Sequence, residues 1–135
     1  MLDIDKSNRT YMNTKFWKQL SCLMMLLGFS VSAVADETNG YVGKIGQQNA
    51  EFTLTWNASG KVNGTYHCPG GSGRVYVLRG SNPKEGELVL HEYTNGVHSA
   101  TCYLTKSTEQ GKVVWRGVMH NNDGRDKAIY FYRGK

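Results

Sequence analysis

From Gly40 onward, apolar and polar residues alternate in short runs and show none of the three-to-four-residue recurrence of an amphipathic helix. Runs of β-branched and aromatic residues return about every ten positions, separated by clusters of Gly, Asn and Asp, which is the signature of short strands joined by tight turns. The pattern predicts eight strands, over 40–46, 49–57, 61–67, 74–80, 86–93, 97–105, 112–120 and 125–133. Pro69 and Pro83 fall between runs, where a missing N–H costs nothing.

The turns carry their own chemistry. Asn95-Gly96 and Asp123-Gly124 suit two-residue type I′ hairpins, which need positive φ at both positions. Asn57 to Gly60 and Ser107 to Gly111 suit longer loops. Alternation then assigns faces. Phe52, Leu54 and Trp56 share the buried side of the second run, opposite Glu51, Thr53 and Thr55. A two-residue turn at Asp123-Gly124 sets Met119 against Ala128, Gly117 against Tyr130 and Trp115 against Tyr132, an aromatic face expected to be core. On the Asn95-Gly96 hairpin, His91, His98, Ala100, Cys102 and Leu104 fall on one side and Leu88, Leu90, Thr101 and Tyr103 on the other. Eight sequential antiparallel strands close most simply into a small up-and-down barrel, because closure removes edges that invite aggregation. The expected fold class is therefore all-β.

The first 35 residues differ in kind. Lys15-Phe16-Trp17-Lys18 is a short cationic stretch, Leu20 to Phe29 is an apolar run, and Ala33-Val34-Ala35 offers the small-x-small pattern of a signal-peptidase site. The run is too short for the roughly 20 residues of a spanning helix. Residues 1–35 are thus expected to be leader and cleaved secretory signal, with Met12 opening a better-proportioned signal than Met1, and 36–135 a single domain that is periplasmic or secreted. Cys22 precedes most of the apolar stretch and follows no lipidation pattern, so no membrane anchor is expected.

Without the leader, 12 Lys or Arg remain against 9 Asp or Glu, a net charge of +3. Basic residues form no stripe and the tyrosines no exposed stacking platform, so nucleic acid is not the expected partner. Three cysteines become two, Cys68 and Cys102, an even number in an exported chain, which predicts one disulfide. By chain entropy such a bridge is worth roughly 3 to 4 kcal/mol. Because strands three and six lie far apart around a meander, the bridge requires a flattened barrel or a loop folded over one end.

Candidate chemistry is sparse. His67, His91, His98 and His120 show no metal-ligand spacing, so no metal is expected. No nucleophile elbow, free catalytic cysteine or phosphate-cradling loop is present, which predicts a protein that is not an enzyme and takes no cofactor. Glu92, Glu109 and Asp126, scattered among basic residues, read as a solvated, charge-mixed surface. Asn57-Ala58-Ser59 and Asn63-Gly64-Thr65 match glycosylation sequons that matter only in a eukaryotic source.

The distinctive segment is Cys68-Pro69-Gly70-Gly71-Ser72-Gly73-Arg74-Val75-Tyr76, a Gly-rich loop pinned between two strands and suited to insertion into a partner's cleft. Its Ser72-Gly73-Arg74-Val75-Tyr76 matches S-G-x-x-Y, and there the chain resembles the small exported bacterial lysozyme inhibitors of the barrel type. The resemblance implies a partner-binding loop, with Ser72 and Tyr76 as contacts and Gly73 allowing close approach, and Arg74 beside them is expected to bind at the loop's rim. It also implies a protein partner, a lysozyme-like hydrolase. Two further readings stand beside it: an immunity-type protein neutralising another periplasmic toxin, and a carrier holding an apolar molecule among Trp56, Trp115, Tyr130 and Tyr132.

Overall fold

The computed structural model describes residues 35–134. The expected signal segment, with Cys22, lies outside the described residues. Eight strands follow in order: β1 (Glu37–Ile45), β2 (Gln48–Trp56), β3 (Lys61–His67), β4 (Tyr76–Ser81), β5 (Glu87–Thr94), β6 (Val97–Glu109), β7 (Lys112–Asn121) and β8 (Asp126–Arg133). Each pairs antiparallel with the next, and β8 returns to β1 from Tyr41↔Arg133 to Ile45↔Ile129, so the sheet closes into an up-and-down barrel.

The alternation explains the interior. Phe52 and Leu54 point inward from β2, Leu88 and Leu90 from β5, Ala100, Cys102 and Leu104 from β6, and Ile129 and Phe131 from β8. Phe131 packs against Phe52 at 4.6 Å and edge-on to Tyr41 at 5.4 Å between ring centroids. The middle of the barrel is therefore filled by side chains, as expected of an eight-stranded closure. Curvature this tight needs glycine where strands crowd. A Cβ at Gly80 or Gly117 would overlap the carbonyl oxygen of Val89 or Tyr103, so no other residue fits either position without moving a neighbouring strand.

Two expectations of register fare differently. Asn95 (φ 51°) and Gly96 (φ 81°) form the two-residue turn their chemistry demands, whereas at Asp123-Gly124 only Gly124 (φ 89°) is left-handed. Asn121 N–H bonds the Arg125 carbonyl at 3.1 Å and Gly124 N–H the Asn121 carbonyl at 2.9 Å, a three-residue loop closed by a glycine. The β7–β8 register consequently slips by one residue from the expected one, to Trp115↔Phe131, Gly117↔Ile129 and Met119↔Lys127. One step turns every β8 side chain over. Ile129 and Phe131 are core, and Tyr130 and Tyr132 lie outside, under Arg116 and Lys112. The segment from Ser107 is also not a loop: β6 runs to Glu109 and turns at Gln110-Gly111.

The expected disulfide is absent. Cys68, just past β3, and Cys102, inside β6, are free thiols. Strands β4 and β5 stand between them in the wall, and the interior that would have to collapse for them to meet is packed solid. Closure and core packing hold the domain without a bridge.

Candidate functional site

The filled middle leaves two ends. At one, the β1–β2, β5–β6 and β7–β8 turns and the 68–75 connection surround a cup of about 520 Å³. Tyr66, Tyr76, Glu92 and Thr94 are in its lining, and Gln48, Arg74, Arg125 and Lys127 bring polar and charged groups to the same space.

Glu92 is the one charged side chain buried among the described residues, with 4% of its surface exposed. It continues the inward parity of Leu88 and Leu90 along β5, and so enters the barrel where the apolar filling ends. Burying a carboxylate demands partners, and β6 supplies one through a bulge. The register jumps from Glu92↔Ala100 to Tyr93↔His98, leaving Ser99 as an extra residue. That extra residue bends inward, and Ser99 Oγ reaches Glu92 Oε1 at 2.6 Å with Thr94 Oγ1 2.9 Å behind it. From β3, two strands away around the wall, the Tyr66 hydroxyl donates to Glu92 Oε2. Burial first, and the Glu92 carboxylate second, push the Tyr66 phenol far above its usual range, so it remains a donor. The same two causes push the Cys102 thiol up to about 12. Cys68 is raised chiefly by burial.

A carboxylate has about four acceptor positions. Tyr66 and Ser99 occupy two, and the cup gives access to the carboxylate from the mouth. Around the opening, Arg125 is engaged by Asp123 at 3.0 Å, while Arg74 and Lys127 add further positive charge.

At the opposite end a groove of about 350 Å³ is bordered by Tyr41, Trp56 and Trp115 with Lys106 and Arg133. Trp56 Nε1 donates to the Tyr41 hydroxyl at 2.9 Å, and the two indoles lie 5.7 Å apart. An interior ligand held by Trp56, Trp115, Tyr130 and Tyr132 together does not fit this arrangement, because Phe52, Phe131 and Leu54 fill that space and both tyrosines face out.

The S-G-x-x-Y segment divides between rim and wall. Ser72, Gly73 (φ 81°) and Arg74 are exposed, with Arg74 N–H on Ser72 Oγ at 3.3 Å. Tyr76 is half-buried and stacks on Tyr66 at 4.8 Å. Sequence reasoning missed Glu92, Tyr66, Ser99 and Thr94. The surface reading fails for Glu92, although Glu109 and Asp126 do sit toward solvent, Glu109 in an ion pair with Arg116 and Asp126 2.9 Å from His120 Nδ1. The missed signal was parity: Glu92 is two residues beyond Leu90 on the buried side. No three His, Cys, Asp or Glu side chains converge among the described residues.

Fold and mouth together define a small closed β-barrel with a polar cup around a buried carboxylate. Among solved structures the chain is similar to that in the crystal structure of a rhizavidin–biotin complex, with a TM-score of 0.54 at 12% identity, over 73% of this chain and 100% of that one. The likeness is one of fold. No model of a known protein family matches the chain, and no curated protein does.

Proposed function

We propose that this protein is an exported, non-catalytic binding barrel that holds a small polar molecule in the cup, with Glu92 as its anchor. The observation that carries this reading is a buried carboxylate, braced from two walls, with acceptor positions left over at the floor of an open cavity. Packing alone gives no reason to bury a charge there. Likeness to a barrel whose crystal structure contains biotin adds weight. The chemistry selects a ligand with an N–H-bearing head, such as a cyclic urea, amide or amidinium, to donate to Glu92. An anionic tail would meet Arg74 and Lys127 at the mouth. Calorimetric titration with biotin and with cyclic ureas bearing or lacking a carboxylate tail tests this. Glu92→Gln should weaken binding by roughly tenfold to a hundredfold, the worth of a hydrogen bond to a charged group.

A second reading rests on the exposed rim. Ser72, Gly73 and Arg74 stand clear of the barrel on a loop that a cleft can accept, which favours an inhibitor of a lysozyme-like hydrolase or a neutraliser of another toxin. Inhibition assays on a lysozyme panel, with Ser72→Ala alone, distinguish the two: inhibition by wild type that is lost in Ser72→Ala while cup ligands still bind supports the loop, and no inhibition by wild type beside ligand binding weakened by Glu92→Gln supports the cup.

A further inference from the structure

On the outer wall, close to the β5–β6 turn at the mouth end, the β5–β6 hairpin brings together three donor atoms that the sequence scatters. His91 Nδ1 and His98 Nε2 lie 3.3 Å apart, and Thr101 Oγ1 lies 3.1 Å from the first and 3.0 Å from the second. The three atoms form a nearly equilateral triangle. The bulge at Ser99 is responsible, since the extra residue turns His98 to the same outer face as Tyr93 and, one step along, His91. All three side chains are half-buried, so their rotamers are restricted before anything binds.

Two imidazole nitrogens bound to one ion at about 2.0–2.1 Å and a tetrahedral angle stand about 3.3–3.4 Å apart. The His91–His98 separation has that value. We propose that His91 and His98, with the Thr101 hydroxyl as a weaker third donor, form a surface site for an imidazole-preferring divalent transition metal, with water completing the coordination. In the metal-free chain these three contacts are hydrogen bonds whose donors are set by the tautomers of the two rings. A bound ion takes both lone pairs. The His98 proton then resides on Nδ1, and the 3.4 Å contact there from Asn122 Nδ2 is given up while Asn122 keeps its 2.7 Å bond to the His98 carbonyl.

The surroundings set selectivity. Arg79 lies opposite His91 in the β4–β5 register and stacks over Tyr93 at 5.6 Å, placing a positive charge on this face. With no carboxylate in the donor set, Mg²⁺ and Ca²⁺ find no ligands they favour. Among first-row ions the order of affinity should place Cu²⁺ above Ni²⁺ and Zn²⁺. The other two imidazoles differ in kind. His67 faces Glu51 at 3.4 Å and His120 faces Asp126 at 2.9 Å, so each is a single ring engaged by a carboxylate.

The test is titration of the full chain with copper(II) chloride, read by calorimetry and by electron paramagnetic resonance. One equivalent should bind with a spectrum reporting two imidazole nitrogens, and Ca²⁺ should not compete. His91→Ala and His98→Ala should each weaken this site by tenfold or more, since even an outer-shell partner is commonly worth about that much, whereas His67→Ala and His120→Ala should leave it unchanged. Circular dichroism confirms that the variants fold. If a variant does not, paramagnetic broadening of wild-type amide signals replaces it, and should centre on residues 91, 98 and 101. A one-nitrogen spectrum, broadening centred on His67 or His120, or affinity unaltered by both His91→Ala and His98→Ala would overturn the proposal.

Discussion

The two ends of this barrel are built by one alternation and finish chemically opposite. At the mouth, the inward position beyond Leu90 is Glu92, and a bulge and a phenol are committed to satisfying it. At the far end, the inward positions are Trp56 and Trp115, which cover the core with rings and need one partly buried hydrogen bond, Trp56 to Tyr41. Alternation decides only which side chains point in. Whether an end becomes a lid or a site depends on whether the last inward residue is apolar or demands partners, and a buried carboxylate that is braced by two donors yet keeps acceptor positions toward the mouth is the arrangement proposed to bind.

The comparison presumes a solid middle that keeps the ends apart, and the largest effect comes from breaking it. Gly117→Ala would drive a methyl into the Tyr103 carbonyl and bring it within 2.9 Å of Leu104 Cα, so β6 and β7 must separate. A loss of about 3 kcal/mol or more in urea denaturation is expected, in the range of severe backbone strain. Next, the ends can be weighed against each other. Tyr66→Phe leaves a buried carboxylate oxygen short of its donor and should cost about 1–3 kcal/mol, whereas Trp56→Phe removes a neutral, part-buried bond and should cost about 0.5–1.5 kcal/mol. Equal losses in parallel denaturation curves would erase the distinction between the ends.

A smaller effect sharpens it through pH. The Cys102 thiol is held up to about 12 by burial and by Glu92, against an ordinary value near 9. Between those values the folded chain keeps a proton that the unfolded chain has lost. Stability therefore falls as pH rises through 9, with a limiting slope of about 1.4 kcal/mol per pH unit for one proton. Thermal midpoints should decline from pH 9 in the wild type, and Cys102→Ala should make that decline shallower, the remainder coming from Cys68, raised from the same ordinary value, and above about pH 10 from Tyr66 by the same sign. The smallest effect lies outside both ends. Glu109 is held down to about 2 by the Arg116 guanidinium, 2.7 Å away on the solvent side. Its contribution is present above the ordinary carboxylate value and is lost as pH falls toward 2. Because the pair is exposed, Glu109→Gln should flatten the acid limb only slightly, and less in high salt.

Much of this architecture is legible in the sequence, because period-2 alternation and glycine-bearing turns are local signals. All eight strands appear there within a few residues of their ends, and Asn95-Gly96 dictates its turn. What is not legible depends on choices between near-equal local options. Asp123-Gly124 fits a two-residue turn as well as a three-residue loop, and the second wins here with Asp123 Oδ1 accepting the Arg125 N–H at 3.0 Å. That single choice moved Tyr130 and Tyr132 from core to surface. An even cysteine count says nothing about distance across a barrel, so the bridge from Cys68 to Cys102 was expected and is absent. The site hid for a related reason: Glu92 has the parity of a buried residue, but its partners Tyr66 and Ser99 come from a strand beyond its neighbour in the wall and from a bulge, neither of which spacing reveals.

What Glu92 is for decides whether the mouth of the barrel is a binding site. Calorimetric titration of wild type and Glu92→Gln with biotin and the tailed and tailless cyclic ureas, beside the stability of the two proteins, measures it. A wild type that binds at least one of these, weakened tenfold or more by the substitution while the unfolding transition stays cooperative, is the predicted result. Wild type that binds none of them, or a glutamine variant that binds equally well, would contradict the account and leave Glu92 as a buried charge without a ligand.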